Sequence, residues 1–311
     1  MKILITGGAG FIGSNIADRY LALGHQVVIV DNLVTGQREN IPAGATFYEM
    51  DIRDPELAGV FEREKPDVVS HQAAQMDVRK SVEDPIYDAQ VNVLGSINIL
   101  QNCVAHGVRK VLFASTGGAI YGEQDYFPAD ENHPLRPISP YGITKLTTEK
   151  YLYFYHVTYG LTYTVLRYAN VYGPRQNPHG EAGVVAIFVS KILKGEQPII
   201  NGDGKQTRDY VYVGDVVRAN ELALTAGDNQ IYNVGTGQET DVNTLFQAIR
   251  QAIGRPVEEV HGPAKPGEQK RSVLDYSKIQ QELGWAPQVS LEEGLARTVA
   301  FFRQKFGMAA S

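Results

Sequence analysis

The 311-residue chain, 43 % hydrophobic and 21 % charged, can bury a sizeable core in one large or two modest domains. Its formal net charge of −6 argues against nucleic acid or an anionic membrane as the main partner, and no apolar run approaches the ~20 residues that span a bilayer. Cys103 is the single cysteine, which excludes an intrachain disulfide and suits a reducing cytoplasm; the 7 histidines fall in no metal-ligand spacing and the N-terminus has no signal-peptide pattern, so neither a metal site nor export is expected.

Lys2 to Thr6 is a short apolar strand run ending at a glycine-rich turn, with glycines at 7, 10 and 13. Such a turn needs one glycine for its tight bend, one for close approach of backbone to ligand, and one for close packing of helix on strand. Phe11 and Ile12 open an amphipathic helix, Ile12–Leu23. Backbone N–H groups and the positive helix end then converge on the turn, an arrangement fit for a pyrophosphate. The second strand, Val27–Val30, ends at Asp31, close to the expected offset of ~20 residues from the glycines. A carboxylate there accepts hydrogen bonds from the adenosine ribose and repels a 2′-phosphate. Asn32, Leu33 and Val34 follow it with no arginine, so NAD is expected rather than NADP.

Thr46–Glu49, Val68–Gln72, Lys110–Ser115 and Thr164–Tyr168 read as further strands, and Pro55–Glu64, Asn92–His106 and Pro140–Tyr159 as helices. This alternation predicts an α/β fold with a doubly wound parallel sheet and ligands at the carboxyl ends of its strands. Asp51-Ile52 follows the third strand, where it faces the adenine edge or caps a loop. His71-Gln72-Ala73-Ala74 follows the fourth, and its small residues let a ribose or nicotinamide pass close by. Past residue 168 the loops lengthen. Gly202-Asp203-Gly204 reads as a hairpin turn, and Val184–Leu193, Val242–Ile253 and Leu291–Phe302 as helices. We therefore divide the chain into a dinucleotide-binding domain, 1–168, to which some later elements return, and a smaller C-terminal α/β substrate-binding lobe, 169–311.

Ser139-Pro140-Tyr141-Gly142-Ile143-Thr144-Lys145 is the second decisive stretch. Ser139 is a natural N-cap and Pro140 suits the first helical position. Tyr141 and Lys145 then stand i, i+4 on one helix face. A tyrosine with a free pKa of ~10 is a poor base at neutral pH. A neighbouring ammonium, a cationic nicotinamide and the helix N-terminus all favour the phenolate, which brings it toward the range needed for proton abstraction.

With these motifs the chain resembles the extended short-chain dehydrogenase/reductase family, a Rossmann-fold family, and within it most closely the UDP-glucose 4-epimerases. The resemblance covers nearly the whole chain. Thr6 to Gly13 matches the family's cofactor loop, Asp31-Asn32 its adenosine-ribose site, and Tyr141/Lys145 its catalytic pair. The resemblance implies a cofactor set of Gly7, Gly10, Phe11, Ile12, Gly13, Asp31, Asn32, Asp51, Ile52, Gln72, Ala73, Ala74, Asn92, Tyr141 and Lys145. It also implies a third catalytic group, a hydroxyl at the end of the strand before Tyr141. Here that segment, Ala114-Ser115-Thr116-Gly117-Gly118-Ala119-Ile120-Tyr121-Gly122, departs from the family pattern. Aligned on Tyr121-Gly122, the customary hydroxyl position holds Gly117. Thr116, next to it, is the first choice and Ser115 the second. Related 4,6-dehydratases place an Asp-Glu pair just after this threonine; Gly117 and Gly118 have no acid–base capacity, so dehydration is not expected.

The implied reaction is reversible epimerisation at carbon 4 of a UDP-hexose through a transient 4-keto sugar, with NAD permanently bound. On the substrate side the resemblance implies Thr116 and Tyr141 at the sugar, Arg208 at the diphosphate with Asn170 on the phosphate or sugar side, and Lys265 and Glu268 in place of the family's Arg-x-Gly-Asp segment. Arg271 offers a further cation. Ser272 stands where a bulky residue excludes N-acetyl sugars in the family, so UDP-N-acetyl sugars are expected to fit. A homodimer through Asn92–His106 and Pro140–Tyr159 is also implied. Two rival readings stand: another UDP-sugar 4-epimerase (of UDP-N-acetylglucosamine, UDP-glucuronate or UDP-arabinose) or related NAD-linked enzyme, and an NAD-binding regulator without catalysis, against which the intact Tyr141/Lys145 pair argues.

Overall fold

A computed structural model describes residues 1–179, 183–264 and 269–308. Its strands are β1 (Lys2–Thr6), β2 (Gln26–Asp31), β3 (Thr46–Glu49), β4 (Val68–His71), β5 (Lys110–Thr116), β6 (Thr162–Tyr168), β7 (Asn170–Tyr172), β8 (Ile200–Asn201), β9 (Thr207–Arg208), β10 (Tyr210–Tyr212), β11 (Gln230–Val234), β12 (Thr240–Asp241) and β13 (His261–Gly262). Its helices are α1 (Phe11–Ala22), α2 (Leu57–Glu64), α3 (Val78–Glu83), α4 (Pro85–Ala89), α5 (Gly95–Ala105), α6 (Gly117–Ile120), α7 (Pro140–Tyr159), α8 (Val184–Lys194), α9 (Val213–Ala223), α10 (Val242–Ile253), α11 (Ser277–Leu283) and α12 (Leu291–Lys305). A π-helical turn, Gln90–Leu94, joins α4 to α5.

Seven strands form one parallel sheet in the order β11-β6-β5-β4-β1-β2-β3. Its central strands are buried on both faces, which is why they read as unbroken apolar runs. The period-2 alternation shows within β1: Ile3 and Ile5 pack with Ile16 and Tyr20 of α1 and Val216 of α9, while Leu4 packs on the other face with Phe61, Ile99 and Leu152 of α2, α5 and α7. A separate core lies between α8, α10 and α12, closed by Tyr172, Tyr210 and Tyr212. Among the described residues no helix is long and apolar enough to cross a membrane.

The elements that return to the sheet after residue 168 are β11, which pairs with β6, and α9, which packs on α1 with Tyr20 donating to the Asn220 carbonyl. Neither stands out in the sequence. The inward face of α9 carries the buried polar residues Asp215 and Asn220, which break its apolar pattern, and the helix follows β10 with no loop between. The hairpin expected at Gly202-Asp203-Gly204 is not formed. The segment does turn, with φ of +67° and +70° at its glycines, but β8 pairs with β13 and β9 with β12. Two-residue strands are too short to specify pairing with each other, and the partners come from the chain further on.

Candidate active site

The carboxyl ends of β1, β2, β4 and β5 face one cleft. At β1, Gly7 has φ +70° and donates its N–H to the Val30 carbonyl at 2.8 Å. A Cβ on Gly7 would stand 2.7 Å from Ala73 N, and one on Gly13 would stand 2.2 Å from Gly7 O. Neither position admits a side chain, because the obstruction is backbone. Gly10, the N-cap of α1, is different: a Cβ there would meet only Gly7 O, at 3.2 Å. Its bare backbone, with the first N–H groups of Phe11, Ile12 and Gly13, is the part of the turn free to approach a phosphate. Ile12 packs into the sheet core, while Phe11 reaches the core between α8, α10 and α12.

Asp31 is buried and fixed by two backbone donors, Ala9 N to Oδ2 at 3.0 Å and Leu33 N to Oδ1 at 2.8 Å. Burial raises its pKa while these bonds oppose the shift. Its remaining lone pairs can take ribose hydroxyls. Asn32 donates to Asp51 Oδ2 at 2.9 Å, and Arg53 binds Asp51 through two bonds of 2.9 Å. Bonding to Arg53 holds the Asp51 carboxyl down at about 2. Arg53, which sequence reasoning passed over, balances the charge at this edge. Ile52 is buried, close enough to the Gly95 backbone that a Cβ there would meet its Cδ1 at 2.7 Å.

At β4, Ala73 stands against Gly7 and donates its N–H to Thr6 Oγ1 at 3.3 Å; Ala74 is half-buried. The Gln72 carboxamide turns toward Ser70 and Asn220, so what Gln72 contributes at the strand end is backbone. His71 bridges Thr6 Oγ1 and Ser96 Oγ, and burial pushes it down to about 3, so it stays neutral. Asn92 is buried, exchanging bonds with Gln75 N and O and donating to Asp88 and Thr144. Its carboxamide ties the loop after β4 to α7.

That helix, α7, begins as its sequence dictates: Ser139 Oγ accepts from Gly142 N at 3.2 Å, with Pro140 next. Lys145 is buried and donates from Nζ to the Ala114 carbonyl at 2.8 Å; Nζ lies 5.9 Å from the centroid of the half-buried Tyr141 ring. Burial lowers Lys145 to about 8, while the carboxylates of Asp88 and Glu149 act to raise it. The α7 N-terminus is held by Ser81 Oγ, which accepts from Tyr141 N, and by Asp88, which accepts from Thr144 Oγ1 at 2.8 Å.

Ser115 and Thr116 part company. Ser115 is buried and donates to Glu149 Oε1 at 2.6 Å. Glu149 is itself held by Arg167 through bonds of 3.0 and 2.7 Å, and Arg167 donates to Tyr121 Oη. This buried ion pair was not foreseen. Thr116, half-buried at the end of β5, borders the cleft: a Cβ on Gly118 would lie 3.9 Å from Thr116 Oγ1 and 3.6 Å from Asn170 Oδ1. Tyr141, Lys145, Thr116 and Asn170 thus gather around the β5 and β7 ends. Arg208 is half-buried on β9, where Nη1 donates to Thr207 O. Arg271 is paired with Glu239 and stacks 3.7 Å over Phe127. Ser272 is buried. Lys265 and Glu268 lie outside the described residues.

A parallel doubly wound sheet, a glycine turn opening α1, an acidic end to β2 and a tyrosine–lysine face on α7 define a dinucleotide-dependent enzyme of the short-chain dehydrogenase/reductase type. Residues 3–235 match the NAD dependent epimerase/dehydratase family, and the chain belongs to it. It is similar to a UDP-glucose 4-epimerase of Thermotoga maritima solved with UDP-glucose (52 % identity, TM-score 0.97, 98 % of this chain and 100 % of that one). It is also similar to a UDP-glucose 4-epimerase of Thermus thermophilus solved with NAD (49 %, TM-score 0.94, 97 % and 99 %). A UDP-glucose 4-epimerase of Mycolicibacterium smegmatis is 47 % identical, with 98 % of this chain and 99 % of that protein covered.

Proposed function

We propose that the chain interconverts UDP-glucose and UDP-galactose by inversion at carbon 4. The observation that carries this is the Tyr141–Lys145 face, anchored by Lys145 on Ala114 O beside Thr116, with no carboxylate on the α6 turn to expel a second hydroxyl. Bound NAD supplies the hydride acceptor and, once reduced, the donor. Gly7, Gly10, Gly13 and the α1 N-terminus hold its pyrophosphate and Asp31 its adenosine ribose. Tyr141, as phenolate, removes the proton from the carbon 4 hydroxyl and later returns it. Lys145, as ammonium, stabilises that phenolate. Thr116 donates a hydrogen bond to the same sugar oxygen, where negative charge develops. Arg208 takes the diphosphate, with Asn170 on the phosphate or sugar side, Lys265 at a phosphate and Glu268 at the uridine ribose.

In this reading the cofactor unit comprises residues 1–168 with α9, β11 and α11, and the remainder of 169–311 holds the sugar nucleotide. The protein is a homodimer. Support for that comes from Ile143, Phe154 and Val157, which share an exposed stripe of α7, and from the neighbouring exposed Ile86 and Leu94, an apolar face larger than scattered surface residues account for. The fully buried Cys103 fits a reducing cytoplasm as its compartment. Incubating purified protein with UDP-galactose and no added NAD tests the activity: UDP-glucose should accumulate. Absence of product, or product only with net consumption of external NAD, overturns the reading. Light scattering of the purified protein, read against a Val157→Glu variant, tests the dimer.

A further inference from the structure

On the face of the sheet that packs against α7, β5 and β6 bury the apolar and aromatic side chains of Val111, Phe113, Tyr163 and Val165. At the carboxyl ends of the two strands this pattern breaks. Ser115 and Arg167, opposite each other in register, are buried and polar, and the buried Glu149 of α7 bonds to both. Glu149 Oε1 accepts from Ser115 Oγ at 2.6 Å and from Arg167 Nε at 3.0 Å, and Oε2 accepts from Arg167 Nη2 at 2.7 Å. Arg167 Nη1 donates to Tyr121 Oη at 3.0 Å, and that hydroxyl donates on to Asn233 Oδ1 at 2.7 Å. A buried ion pair adds little stability that well-packed apolar side chains of the same volume would not, so its place at this end of the sheet calls for another reason.

The pair pins Ser115 at one end of a short segment and Tyr121 at the other. Between them lie Thr116 and the α6 turn. Alternation along β5 sends Ser115 toward α7, while Leu112 and Ala114 pack on the opposite face. A held Ser115 therefore fixes the direction in which Thr116 leaves the strand. Glu149 follows Lys145 by one helical turn, as Lys145 follows Tyr141, and Lys145 Nζ donates to the carbonyl of Ala114, the residue before Ser115. One ion pair thus refers the hydroxyl-bearing segment and the acid–base helix to a common point. We infer that Glu149 and Arg167 are positioning residues, which act through Ser115 to hold Thr116 in place relative to Tyr141 and Lys145; the inference rests on the epimerase reading. Neither is open to the cleft, since both side chains are 2 % exposed. In that reaction Thr116 and Tyr141 meet the same sugar oxygen before and after the hydride moves, so a drift of Thr116 lowers turnover more than binding.

Glu149→Ala would leave Arg167 an unpaired buried charge and lower Tm for that reason alone, so the test cuts the pin instead. Ser115→Ala leaves every bond between Glu149 and Arg167 intact. We expect kcat for UDP-galactose to fall roughly 10-fold, the scale of a slightly misplaced group at a reacting centre, with KM, NAD content and affinity for UDP unchanged. In a Thr116→Ala background the same substitution should change kcat by less than about 2-fold, because the group it misplaces is already gone. Undiminished kcat in Ser115→Ala overturns the inference. So does an equal fall in both backgrounds, which would make the Ser115 hydroxyl act independently of Thr116. A fall accompanied by loss of NAD or of UDP affinity overturns it too, since the pair would then be structural. The wild-type control separates the two levels: if it does not convert UDP-galactose, the epimerase reading itself fails.

Discussion

Two glycine-bearing turns, one after β1 and one after β5, look alike in sequence and differ in what surrounds them. At the β1 turn a side chain on Gly7 or Gly13 would collide with backbone atoms, Ala73 N and Gly7 O. Backbone held in a parallel sheet and a helix cannot yield, so that turn has one solution. At the β5 turn a side chain on Gly117 would meet Leu274, and one on Gly118 would meet only polar side-chain atoms at contact distance. The cofactor end of the cleft is thus set by main chain. The β5 turn is bordered by side chains, which can shift without disturbing the sheet.

Tyr141→Phe gives the largest effect in favour of this division. Turnover should fall by roughly 10²- to 10⁴-fold, the usual worth of a positioned acid–base group, with NAD per protomer unchanged when released by acid and measured. Loss of NAD from this variant would break the comparison. Gly13→Ala should do the converse. Moving the Gly7 carbonyl costs about 1–3 kcal/mol, read as a lower urea midpoint, and the protein should purify depleted of NAD.

Asp31→Asn tests the side-chain contribution within the cofactor half. Losing a charge-assisted pair of ribose bonds should weaken NAD roughly 10- to 100-fold by titration of the cofactor-free protein, with kcat restored at saturating NAD. The smallest effect is a shift in pH dependence. Ammonium is the working form of Lys145, so activity is present below its pKa and lost as pH rises through about 8. The Asp88 carboxylate raises that pKa, so Asp88→Asn should move the alkaline limb of kcat/KM to lower pH. An unmoved limb would show that Asp88 only braces Thr144.

Much of the cofactor half was legible because its physics is local. Parallel strands buried on both faces are continuous apolar runs, and β1 to β6 fall within two residues of where those runs lie. The α7 start was legible from Ser139-Pro140, and the Tyr141/Lys145 face from i, i+4 geometry. Ser115 and Thr116 were not separable, since successive strand residues point to opposite faces and sequence does not say which face is which. The Glu149–Arg167 pair joins residues on different elements, and no local pattern announces it. The Glu239 partner of Arg271 was illegible for the same reason, since it comes from elsewhere in the chain.

The sequence alone determined that a glycine turn opens α1, that an acidic residue ends β2, and that a tyrosine and a lysine share one helix face. Each is a property of a few consecutive residues and the fixed periods of helix and strand. Only the tertiary structure decided which hydroxyl borders the cleft, which glycine is packed and which is open, and that β11 and α9 close the sheet. These depend on contacts between residues far apart in the chain, where the distance to a Leu274 or a Glu149 selects between alternatives that local sequence leaves equal.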